Sequence, residues 1–184
     1  MQRAVITIAE YLLGFFALAV FAAYAFGTGE TSTERLITAF KFGASLAAIE
    51  LLFLAVRKTP ANRLILGANL WLILGGFAAF TQQWWFLRVY ERFGEASLFA
   101  TIFAVGVVAT AVTPSGFVAA VGTKRKVMLA SLTLLAAVGG ALVLAIAYKG
   151  NVKIAAVLPI IGLSWLNRGL GLYAKSDEVG KPIA

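Results

Sequence analysis

Residues 38–53 read TAFKFGASLAAIELLF, and the reading of this run decides the rest. It is apolar enough to lie in a bilayer, yet it holds Lys41 and Glu50. The chain around it has the same character. Of its 184 residues 61% are hydrophobic and only 13% charged, against roughly 25% charged in a soluble domain. Apolar runs of about 20 residues recur, which is the signature of membrane-spanning helices.

Six spans are expected, at residues 4–26, 35–56, 63–82, 97–121, 127–148 and 153–174. Each can cross a hydrocarbon core of about 30 Å at a rise of 1.5 Å per residue. The expected fold is all-α: a polytopic integral membrane protein built as one six-helix transmembrane bundle over residues 1–176. A short polar cytoplasmic tail, residues 177–184, follows it. The first run exceeds a signal-peptide core and contains Glu10, so it is read as a retained helix. Connections are short except at residues 83–96, QWWFLRVYERFGEA, where aromatics and charges mix. That segment is expected to lie in the interface between helices 3 and 4, with Trp84 and Trp85 as anchors at headgroup level.

The net charge of +8 does not point to nucleic acid, because the basic residues flank apolar spans instead of lining a soluble surface. Arg3, Arg57, Arg63 and the Lys124-Arg125-Lys126 cluster fall on one side of the bilayer. Fewer lie on the other, together with Glu30, Glu34, Glu91 and Glu95. The positive-inside rule then expects both termini in the cytoplasm of a bacterial-type inner membrane. The chain has no cysteine and no histidine. Thiolate or imidazole metal ligands, cysteine nucleophiles and a histidine triad are thereby excluded. No cofactor or metal is expected. Gly169-x-Gly171-x-x-Ala174 resembles a dinucleotide fingerprint only superficially, since no strand precedes it.

The intramembrane polar residues remain. Lys41 and Glu50 are nine residues apart, so they point to opposite sides of one helix, about 13 Å apart along its axis. They cannot pair. Lys41 shares its face with Thr38, Ser45 and Ala48, and Glu50 shares its face with Gly43 and Ala47. Small residues permit close helix approach in lipid, so both faces are expected to contact protein. Counted by depth, Glu10, Glu50, Asn69 and Arg168 reach one layer of the cytoplasmic half, with Thr110 and Thr113 approaching it. An intramembrane charge costs about 2.5–3.5 kcal/mol near the helix centre, and pairing would offset this. One reading is a buried Glu–Arg–Glu cluster that handles a proton or ion. The other is a packing clamp with Arg168 and Lys41 snorkelling to the surfaces. Thr113-Pro114-Ser115-Gly116 is expected to break or kink the fourth helix and is the candidate gate. Gly75-Gly76 and Gly139-Gly140 are expected to be packing surfaces.

The expected function is therefore non-catalytic: an accessory or assembly subunit of a larger membrane complex. The alternative is a small transporter or channel that uses the Glu/Arg cluster. The expected partners are the lipid bilayer and other membrane protein subunits.

Overall fold

In lipid no water is present to take up backbone N–H and C=O groups, so an apolar chain satisfies them within helices. A computed structural model describes residues 14–27, 32–56 and 61–176. Among these residues all regular structure is helical, with no strand. We number the helices α1 (Phe16–Phe26), α2 (Thr33–Val56), α3 (Arg63–Phe80), α4 (Trp85–Phe93), α5 (Ala96–Val112), α6 (Lys124–Ala147) and α7 (Leu158–Lys175). A π-helical turn, Lys153–Val157, leads into α7. Four stretches are long and apolar enough to span a membrane: Thr33–Val56, Arg63–Phe80, Lys124–Ala147 and Lys153–Lys175. Trp85–Phe93 and Ala96–Val112 together make a fifth candidate, broken at Gly94, whose φ is +56°. The first expected span is represented by α1 alone, and Glu10 lies outside the described residues.

The chain divides into two units. The first holds α1, α2, the part of α3 from Ala68 onward, and α4 as far as Arg92. Its core is aromatic. The Phe40 ring lies 5.1 Å from Trp71, 5.6 Å from Tyr90 and 5.8 Å from Phe86, and Phe21 meets Trp71 edge-on at 5.2 Å. Such geometries add to simple burial. The stripe Leu36, Phe40, Gly43 and Ala47 is the buried side of α2, at the spacing of one helix face. It runs against α3 so closely that a Cβ built on Gly76 would lie 2.1 Å from the Ala44 Cβ. Gly75-Gly76 is thus a packing surface, as expected.

The opposite face of α2 is less covered by this chain. Ser45 and Ala48 are exposed, whereas Thr38 and Lys41 on the same face are half-buried. The hydroxyls there are satisfied by the backbone of α2 itself. Ser45 Oγ donates to the Lys41 carbonyl at 2.9 Å, and Thr38 Oγ1 to the Glu34 carbonyl at 3.0 Å. Small polar residues on a helix can turn their hydrogen bonds back on the preceding turn. The Lys41 ammonium lies 5.5 Å from the Phe80 ring centroid, a cation–π distance.

The second unit holds residues 59–67 and 93–184, hence the start of α3 and all of α5, α6 and α7. α6 presents Ala130, Leu134, Val138, Ala141 and Ala145 to its neighbours. Gly140 behaves differently from the expectation, because a Cβ built there meets nothing within 4 Å. The expected fourth span is also shorter than its apolar length. α5 ends at Val112, and residues 113–123 fold as irregular backbone. Pro114 has no N–H to donate and pushes Thr113 into extended geometry, φ −111° and ψ 139°. The break terminates the helix instead of kinking it.

Candidate functional site

In the first unit, Glu50 gathers three helices. Phe15, at φ −108° and ψ 9°, stands outside helical geometry, so α1 starts afresh at Phe16. The first N–H groups of such a helix have no partner within it and attract negative charge. Ala17 N–H donates to Glu50 Oε1 at 2.9 Å. From α3, the Asn69 side-chain amide donates to Glu50 Oε2 at 2.8 Å. Both carboxylate oxygens are therefore engaged, one by backbone and one by side chain. Asn69 is 0% exposed, and its own Oδ1 is buried with no hydrogen-bond partner. An unpaired acceptor of this kind costs stability. Of the residues expected to share one layer, the structure joins Glu50 and Asn69. Arg168 belongs to the second unit, on the exposed side of α7.

In the second unit, the irregular segment after α5 is held by a residue that sequence reading assigned only to the membrane flank. Arg63, the first residue of α3, donates to Ser115 Oγ at 3.0 Å and also to the Gly116 carbonyl. Its planar fork suits a paired engagement of this kind. Gly116 has φ +57°, and a Cβ there would fall 2.2 Å from Ser131 Oγ. Phe117, Val118 and Ala120 are buried, so the segment is packed into its unit. A cavity of about 550 Å³ lies beside it, lined by Thr110, Thr113, Pro114, Lys124 and Val127 among others. Thr113 Oγ1 donates to the Ala109 carbonyl at 2.7 Å and Thr110 Oγ1 to the Gly106 carbonyl at 2.7 Å. Both threonine hydroxyls thus serve their own helix. The signal for Arg63 was available in principle: a proline break inside an apolar run frees carbonyls that need a donor. Which donor would reach them was not legible.

Two further polar residues were missed or underweighted. Asn62 caps α3, its Oδ1 accepting from Leu64 N–H at 3.0 Å and from the Asn167 amide at 3.3 Å. The Asn167 Oδ1 is buried and unpartnered. Glu95 is buried at 7% exposure and accepts from the Gly150 N–H at 3.4 Å. Trp84 and Trp85, the expected anchors, are about half exposed at 48% and 49%, while Phe86, Leu87 and Tyr90 of α4 are buried. α4 is thus amphipathic, with Arg88, Glu91 and Arg92 on its exposed side.

The second feature of note is the outer face of α7. The span containing it has a mean hydropathy of 1.3, and 17% of its most apolar stretch is buried. Both values are the lowest of the four long candidate spans, which reach a hydropathy of 2.4 for Lys124–Ala147 and a burial of 61% for Arg63–Phe80. Leu158, Ile161, Trp165 and Leu172 are exposed at three-, four- and seven-residue spacing, with Trp165 at 78%. Compared with known proteins, the chain matches no family model, no curated protein and no solved structure.

Proposed function

We propose that the chain is a non-catalytic accessory or assembly subunit of a larger membrane complex. In this reading it is a six-helix, multi-pass protein of a bacterial-type inner membrane with both termini cytoplasmic. α4 lies at the interface, and α7 is the face that meets the complex. One observation carries the proposal: the least apolar long span is also the least buried. Lipid exposure selects for apolar residues, so a helix facing lipid on most sides should be the most hydrophobic of the set. A protein neighbour on α7 removes the mismatch. The polar residues at Glu50 and Asn69 then act as a clamp that fixes α1 and α3 on α2.

The test is site-specific photocrosslinking in native membranes. A photoreactive residue at Trp165 should give adducts to protein, whereas one at Val143, 66% exposed on the apolar α6, should give adducts to lipid alone. Lipid adducts alone at both positions would overturn the proposal.

A second reading keeps its support in one detail. The Glu50 carboxylate, with the unpartnered Asn69 Oδ1 on the residue that donates to it, is where a proton or cation would bind if the chain were a transporter. Proteoliposome flux that is abolished in Glu50→Gln, with folding intact, would favour it over the assembly role.

A further inference from the structure

We propose that α7 docks against a transmembrane helix of a different protein, and that this helix carries an aspartate or glutamate opposite Arg168. The inference rests on the reading of α7 as an assembly face and names the chemistry of what covers it. Arg168 stands seven residues before Lys175, the end of α7, and so about 10 Å inside that end of the helix. It is exposed, and among the described residues it has no hydrogen bond, ion pair or ring contact. Charged residues within membrane spans are rare and characteristically face protein or water, paired with an opposite charge. Arg168 instead points outward, on the same exposed side as Trp165 and Leu172.

The surface beside it is shaped for a helix. Gly162 and Gly169 are seven residues apart, two turns along one face, and a Cβ on either would meet nothing within 4 Å. Glycines at this spacing let a second backbone approach closely. Trp165 rises between them at 78% exposure, a large anchor of the type that dominates binding surfaces. A lipid headgroup would use the arginine alone and would make no use of the two open glycines.

The same charge argues against a second copy as the occupant. Two copies inserted the same way up and related by a twofold axis would bring α7 against α7. Arg168 would then face its own equivalent, a like-charge contact that is unfavourable in low dielectric. A carboxylate at that depth accepts both arms of the guanidinium and neutralises it, and the arginine fork gives the contact orientation as well as strength. The glycines set the distance, the tryptophan fills the groove, and the charge pair sets the register.

The experiment extends the Trp165 crosslink. The full chain with a photoreactive residue at 165 is irradiated in native membranes, and the crosslinked peptide is sequenced. The expected adduct is an apolar segment of another protein with an Asp or Glu within about one turn of the attachment point. Arg168→Glu should then cut adduct yield about tenfold or more, and exchanging the partner's carboxylate for arginine should restore it. Arg168→Gln, which avoids introducing a new charge, should show an intermediate loss while the isolated chain keeps its thermal stability. An adduct peptide without a carboxylate, or a yield unmoved by Arg168→Glu, would overturn this inference and leave the assembly face standing. Adducts to a second copy, or to another part of this chain, would also overturn it. Lipid adducts alone would remove both.

Discussion

At the scale of single residues, Glu50 illustrates how an apolar helix holds a carboxylate. Its oxygens accept from the Ala17 N–H and the Asn69 amide, so the charge is distributed onto donors from two other helices. Glu50→Ala leaves both donors without an acceptor and should destabilise the protein by about 3 kcal/mol, read by thermal unfolding in detergent. Glu50→Gln should cost about 1 kcal/mol or less. Its amide oxygen can still accept from Ala17, and its NH₂ can donate to the unpartnered Asn69 Oδ1 once that side chain turns over. If Glu50→Gln proved as damaging as Glu50→Ala, the clamp would depend on charge and not on hydrogen-bond count. The sequence placed Glu50 and Asn69 at one depth, because depth follows from counting residues. The Ala17 contact was not legible, since it arises from a break at Phe15, and the adjacent Gly14 does not by itself say that a helix restarts there.

At the scale of elements, the segment 113–123 is the most informative departure. An apolar run long enough to be one helix stops at Val112, and the backbone beyond it is held by side chains. Non-helical backbone needs partners for its polar groups, and Arg63 and Ser131 provide them here. Arg63→Ala should therefore cost about 2 kcal/mol and make residues 113–123 the first site of limited proteolysis. Gly116→Ala should cost at least as much, because it combines a left-handed φ with a collision at Ser131 Oγ. Side chains from two helices, α3 and α6, thus anchor the segment. The two glycine pairs separate in the same way. Gly76→Ala should destabilise by about 1–3 kcal/mol through overpacking against Ala44, whereas Gly140→Ala, facing open space, should be neutral or stabilising by up to about 1 kcal/mol. Equal melting temperatures for the two variants would contradict the α2–α3 contact. Sequence alone ranked both pairs alike, because a glycine signals that something can come close and not whether it does.

At the scale of the whole molecule, the mismatch between hydropathy and burial along α7 carries the functional proposal. It yields a prediction that separates folding from assembly. Gly169→Leu adds a side chain into open space, so the isolated chain should unfold within about 0.5 kcal/mol of the parent. The same substitution should reduce the Trp165 crosslink several-fold by blocking close approach of a partner helix. A drop in both measurements would mean that the face is internal to the fold. What the sequence by itself determined is the class of chain: all-helical, with several helices long and apolar enough to cross a membrane. Hydropathy is a sum over neighbours in the chain, and helix length follows from bilayer thickness. It also determined which residues are expensive in lipid, namely Lys41, Glu50, Asn69 and Arg168. Only the tertiary structure decided what each of them meets. Glu50 found an amide and a helix start, Lys41 an aromatic ring, and Arg168 an exposed face. The reason is physical: depth is a one-dimensional quantity that the chain encodes locally, whereas a partner across a helix interface depends on rotation, breaks and neighbour order. Those are set by packing among residues far apart in the chain.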